Sequence, residues 1–243
     1  MPSSSLLGYC EYLLAGAAIT VELAVSGYLL VLVVGTAWAL LRLTGIGVVT
    51  VVWRVYASIF MGVPSVLVMF LFFYAGSPTL SNLLALFGWQ ARIDVSPFGA
   101  GLAALTVVQG AYAAEVISGA IRNVSRGQFE ASRALGMRTY QTWWYVITPQ
   151  VARLALPGLT NIWVSVLKDT ALVALAGLNE IVMRSRTASG ATKEPFLFFT
   201  LAALFFIVFS AMTLRGAGVL ERRLNRGLAR RDDDQRLPAG GRA

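Results

Sequence analysis

Few residues in this chain could do chemistry, and their types narrow what that chemistry is. Histidine is absent and cysteine occurs once, as Cys10, so nothing forms a metal-holding cluster or an internal disulfide. Acid–base or nucleophilic catalysis would have to rely on carboxylates and Lys168. No GxxxxGK[ST] loop cradles a nucleotide phosphate, and no cofactor is expected. What remains is a handful of ionisable groups in apolar surroundings: Glu115 and the adjacent pair Lys168 and Asp169. Charge inside an apolar segment is costly unless it faces a cavity, a partner or an opposite charge, so these residues are candidates for a path taken by a polar solute. Adjacent helical residues point about 100° apart, which predicts that Lys168 and Asp169 face different neighbours, one the path and the other a subunit contact. The alternative is a mutually compensated pair holding a bend after Pro157. Glu115 reads more simply as a carboxylate paired to a nearby Arg or a helix terminus than as a solute contact.

The elements that must position these groups are membrane spans. The chain is 57% hydrophobic and 13% charged, with a mean hydropathy of +0.69, which excludes a soluble globular domain and leaves no room for a second one in 243 residues. The class is therefore an all-α membrane protein, with spans at 13–41, 55–76, 98–118, 154–177 and 195–214. Pro64 falls in the second span and reads as an ordinary helix kink beside a solute path. Residues 77–97, with Pro78, Asn82, Trp89 and Pro97, read as an external loop, and so do residues 178–194, where Glu180 could cap a turn or pair with Arg184. The first 41 residues carry no Lys or Arg, which argues against a secretory signal peptide. With the N-terminus outside, Lys and Arg fall 15 to the cytoplasmic parts and 4 to the external loops, as the positive-inside rule requires. The net charge of +8 thus reports topology and contact with anionic lipid head groups, with no need for nucleic acid. Residues 221–243 read as a basic, disordered cytoplasmic tail after a membrane domain at 1–220.

One polar stretch, GQFEASRALGMRTYQTWWYVITPQVARLALP at 127–157, interrupts this pattern within a cytoplasmic loop at 119–153. Ser125 and Gln128 have the spacing of a reciprocal helix cap, Gly136 can end the helix in the left-handed conformation, and Thr139 can cap a second helix. Pro149 and Pro157 should bend or break the chain beyond that second helix. Four arginines between 122 and 138 keep the stretch in water or against protein, and exposed Phe129, Trp143 and Trp144 predict a contact surface.

These residues also carry a resemblance. Glu130-Ala131-Ser132, Gly136 and Val146-Ile147-Thr148-Pro149 stand at the spacing of the Glu-Ala-Ala, Gly, Ile-x-Leu-Pro loop of ABC importer permeases. Gly127-Gln128, Ala134-Leu135-Gly136-Met137, Gln141, Pro149-Gln150, Arg153, Leu156-Pro157, Asn161 and Lys168-Asp169-Thr170 extend the likeness to the polar amino-acid uptake subfamily. Ala111, Tyr112, Glu115, Gly119 and Ile121 agree with a further pattern, AAYxxExxRGxI, in which Ser118 replaces Arg. Around Gly62-x-Pro64 the likeness weakens: Met61, Val63 and Met69 stand where that subfamily has Arg, Thr and Gln.

The resemblance implies a type I importer permease fold of about five spans and a coupling loop. It also implies that Gly127, Glu130, Ala131, Gly136 and Pro149 meet separate ABC ATPase subunits. A second permease chain, identical or a sister, would complete the pathway, and an external substrate-binding protein would deliver the solute. That solute could be a basic, acidic or neutral amino acid, an opine or an ectoine-like zwitterion. The rival class, a small channel or an intramembrane enzyme without an ATPase partner, leaves the Glu, Gly, Pro spacing without a purpose.

Overall fold

Apolar runs and their glycine and proline punctuation organise the chain into helices. The computed structural model describes residues 6–89 and 93–225, and all regular structure among them is helical. The helices are α1 (Leu6–Leu43), α2 (Gly47–Gly62), α3 (Ser65–Leu86), α4 (Pro97–Arg122), α5 (Arg126–Ala134), α6 (Thr139–Ala176), α7 (Ile181–Thr192) and α8 (Pro195–Asn225). Five of them, α1, α3, α4, α6 and α8, are long and apolar enough to cross a membrane, which is the all-α, five-span architecture expected. The helix α8 runs through Asn225, past the expected start of the tail, and residues 226–243 lie outside the described residues.

The centre of the bundle is α4, packed between α1 and α6. Its small residues Ala104, Ala113 and Ala114 are fully or nearly fully buried, and they let neighbouring backbones approach as small residues do between membrane helices. The tightest approach is at Gly35 of α1, where an added Cβ would lie 2.6 Å from the Cβ of Ala113. Leu23 and Val31 from α1, Leu105 and Val108 from α4, Ile162 and Val166 from α6 and Val68 and Met69 from α3 fill the core around this contact. A second cluster, Trp38, Trp53, Tyr56 and Phe60, holds α2 to α1, and the Tyr56 hydroxyl donates to the Val107 carbonyl of α4 at 2.6 Å.

The structure corrects the expected elements in three places. The second span is not one kinked helix: α2 ends at Gly62, Val63 and Pro64 are extended (ψ 133° and 132°), and α3 restarts at Ser65. Pro64 therefore sits in a break between two helices. The helix α3 then continues through Ser77, Pro78 and Asn82, which the sequence assigned to an external loop. Its hydroxyls are used by the returning chain, since the Val95 and Ile93 amides donate to Ser77 and Ser81 at 2.9 and 3.1 Å.

Next, the expected break at Pro149 is absent, and α6 runs without interruption from Thr139 to Ala176. The turns at Thr142–Ile147 are π-helical, just before Pro149, and the turns at Leu71–Ala75 are π-helical just before Pro78. A proline ring clashes with the carbonyl four residues back, and the wider π turn moves that carbonyl aside, so each proline is absorbed without ending its helix. Finally, residues 178–194 contain the helix α7. Its Ser, Thr, Gly and Arg content hid it from an apolar pattern, but Glu180 caps it by accepting from the Met183 amide at 2.9 Å. The pairing of Glu180 with Arg184 does not form. Arg184 instead donates to the carbonyls of Asn179 and Tyr12 at 2.9 and 2.8 Å.

Candidate functional site

Two features stand apart from ordinary packing: a wide, open cavity with polar groups among its apolar lining, and an exposed pair of helix segments at one end of the bundle. The cavity, about 880 Å³, opens between α4, α6 and the break that separates α2 from α3. All four path candidates, Pro64, Glu115, Lys168 and Asp169, line it. Lys168 and Asp169 do not diverge as their 100° offset suggested, because a cavity this wide is reached by side chains pointing in both directions. Asp169 accepts from Gln109 Nε2 at 2.9 Å, while Lys168 is exposed to the open space.

The polar lining is arranged along two helices. On α4, Gln109, Tyr112 and Glu115 are spaced at three-residue intervals, and on α6, Asn161, Ser165 and Lys168 are spaced at four and three. Both spacings place side chains on one face of a helix. Gln109 and Ser165 went unnoticed in the sequence because neutral polar residues do not stand out in an apolar run. Their spacing from Glu115 and Lys168 was the available signal. Met61 and Val63, apolar where the subfamily has Arg and Thr, both line the cavity, whereas Met69 is 2% exposed in the core.

At the α5 end of the cavity, Glu115 is paired as its simpler reading suggested. Its Oε1 lies 3.0 Å from Arg42 Nη1 and its Oε2 lies 3.7 Å from Arg122 Nη2.

The exposed pair consists of α5 and the first turns of α6. Ser125 caps α5 by accepting from the Gly127 amide at 3.3 Å, but Gln128 does not reciprocate. Its side chain instead accepts from Gln150 Nε2 at 3.3 Å, and the same nitrogen donates to the Val146 carbonyl at 2.9 Å. Gln150 thus clamps the two segments and supports the π turn before Pro149. Gly136 ends α5 at φ 72°, where a side chain would be strained, and the Met137 amide closes the turn on the Ser132 carbonyl. Ser132, the small departure from Ala, is 3% exposed and returns its hydroxyl to the Gln128 carbonyl at 2.7 Å. Thr139 is the first helical residue and not the cap, since the Arg138 amide is satisfied by Gln141 Oε1 at 2.8 Å.

Gly127, Glu130, Ala131, Gly136 and Pro149 are all exposed on this pair. Of the three aromatics expected at a contact surface, Phe129 and Trp143 pack edge to face at 6.0 Å and brace the pair internally. Trp144 is 70% exposed, and Leu135, Tyr140 and Tyr145 join it at the surface.

A five-span helical bundle with a polar cavity and a braced, exposed helical pair defines a membrane transport permease. The family of inner membrane components of binding-protein-dependent transport systems matches residues 32–226, and the chain belongs to it. It is 36% identical over 222 residues to the nopaline transport system permease protein NocQ of Agrobacterium fabrum, covering 91% of this chain and 94% of that one. To the histidine/lysine/arginine/ornithine transport system permease protein HisQ of Salmonella typhimurium it is 35% identical over 227 residues, covering 93% and 99%. The crystal structure of an amino acid ABC transporter with histidines superposes with a TM-score of 0.75 at 27% identity, covering 90% of this chain and 96% of that one. The chain is a multi-pass inner-membrane permease subunit with the ABC importer fold, and not an enzyme.

Proposed function

We propose that this subunit forms half of the translocation pathway of an ATP-driven importer whose solutes are amino acids or amino-acid derivatives with a cationic side chain. The observation that carries this is the cavity itself: Lys168, Asp169, Gln109 and Glu115 face one open space, and groups so polar are tolerated within membrane spans only where water, protein or a polar solute covers them. The solute class is supported by the relatives, since nopaline, an arginine derivative, and histidine, lysine, arginine and ornithine all carry a basic side chain.

The second permease chain, identical or a sister, covers the open side of the cavity. The pair at 127–157 docks to a separate ATPase in the cytoplasm, which puts the N-terminus outside. An external substrate-binding protein delivers the solute, and the basic end of α8, with Arg222 and Arg223, rests against anionic lipid head groups. The helix α6 links docking to transport, because Trp144 at the exposed surface and Lys168 in the cavity lie on one continuous rod. Displacement of its exposed end is carried to the cavity wall along this one helix.

Reconstitution of the subunit with its partner ATPase, second permease chain and binding protein tests this. ATP-dependent uptake of radiolabelled L-arginine, nopaline or L-histidine into proteoliposomes is expected. Uptake of none of them, or uptake without the ATPase, contradicts the proposal.

A further inference from the structure

The cavity ends, on the side nearest α5, at a carboxylate whose charge is cancelled from behind. Glu115 lines the cavity, whereas Arg42 stands behind it on α1, with its side chain 22% exposed. One nitrogen of Arg42, Nη1, donates both to Glu115 Oε1 at 3.0 Å and to Ser118 Oγ at 3.2 Å. The guanidinium lies 4.5 Å over the ring of Trp53 on α2, and that residue is 4% exposed. Arg42 is therefore fixed by three elements at once, α1 by its backbone, α2 by a cation–π contact and α4 by two hydrogen bonds. The second cation near Glu115, Arg122, is held less firmly: it is 3.7 Å away on a side chain 61% exposed, where solvent screens it. Ser118, three residues beyond Glu115 on α4, shares the same guanidinium nitrogen with it.

We propose that Arg42 is a positioning residue that cancels the charge of Glu115 at the end of the cavity, so that a cationic solute passes this carboxylate instead of being held by it. This rests on the reading of the cavity as a path for cationic amino acids. A bare carboxylate in a partly dry channel attracts an ammonium or guanidinium strongly, and a permease that bound its cargo there would release it slowly. An arginine locked to the carboxylate from the protein side removes that trap and leaves the wall polar.

The experiment uses the complete complex in lipid nanodiscs without nucleotide, with radiolabelled L-arginine as the cationic probe and L-glutamine as the neutral one. Arg42→Gln is expected to bind L-arginine at least fivefold more tightly than the wild type and to release it at least fivefold more slowly, with L-glutamine unchanged. Arg42→Gln combined with Glu115→Gln is expected to return both values to within twofold of the wild type. A purely structural loss weakens binding, so unchanged or weaker L-arginine binding by Arg42→Gln overturns the proposal. Should that variant fail to assemble, Arg42→Gln with Ser118→Arg decides, because it restores a cation beside Glu115 from α4. Assembly with wild-type affinity supports the proposal, and tightened binding or no assembly overturns it. A wild-type complex that does not bind L-arginine overturns the solute reading and this inference with it, whereas wild-type L-arginine binding without tightening in Arg42→Gln overturns this inference alone.

Discussion

Gln109 Nε2 donates to Asp169 Oδ2 at 2.9 Å, joining α4 to α6 across the wall of the cavity. The bond fixes one carboxylate oxygen of a residue that lines the cavity. Gln109 is 7% exposed, so its amide has no ready substitute partner in water. A hydrogen bond to a charged group contributes about 1.5–3 kcal/mol to stability, so Gln109→Leu is expected to lower both the thermal stability of the subunit and its initial rate of uptake. Gln109→Asn, whose amide is one methylene shorter, should lose less. Equal rates for the wild type and Gln109→Leu would show that the orientation of Asp169 is not used.

Glu130 is exposed on α5, away from the cavity, and makes no ion pair among the described residues. Reversing its charge should leave insertion and the bundle intact while disturbing the docked surface. Glu130→Lys is expected to reach the membrane at wild-type levels and to lose ATP-dependent uptake in vesicles. Normal uptake by this variant contradicts a docking role.

Gly35 meets Ala113 with no space for a side chain, since a Cβ would be 2.6 Å from its neighbour's. Gly35→Val should push α1 off α4 and cost about 1–3 kcal/mol, the usual range for overpacking. The expected sign is a lowered midpoint of thermal aggregation in detergent, monitored by size-exclusion chromatography. Gly190→Ala, with nothing within 4 Å, is the control and should show no shift.

Thr20 and Glu180 lie 160 residues apart and meet at 3.2 Å, tying α1 to the start of α7. Burial pushes the Glu180 carboxyl up, against hydrogen bonds from the Val182, Met183 and Ile181 amides and the Thr20 hydroxyl that hold it down. Because the folded value is raised, the folded state binds the proton more tightly than the unfolded one. The contribution to stability is then fully present below the ordinary glutamate value and is lost as pH rises through the raised one. Thermal stability should therefore fall over that window in the wild type. Glu180→Gln, which cannot titrate, should flatten it, and an identical pH profile for both proteins contradicts the assignment.

The sequence revealed the parts of this protein that depend on composition and on single decisive residues. Five apolar runs marked the spans, and Gly136 marked the turn at the exposed pair, because each is a local property. It did not reveal what depends on compensation between distant residues. Pro149 looked like a break until the π turn and Gln150 beside it were seen to absorb it. The helix α7 is too polar to be recognised alone and is held by Glu180 against Thr20 on α1. Lys168 and Asp169 looked divergent because the size of the space they face is a tertiary property. An arginine partner for Glu115 was legible, but not that it is Arg42, which lies 73 residues away on α1.

The central claim is that this subunit is moved through its exposed helical pair by an ATPase on the cytoplasmic side. It is tested most directly by a cysteine at Ala131, with Cys10 replaced, in the assembled complex. The account predicts that this cysteine cross-links to the ATPase, with a yield that changes between nucleotide-free and ATP-bound states, and resists an impermeant thiol reagent added outside intact cells. Labelling from outside, or a cysteine that never reaches the ATPase in either state, would contradict it.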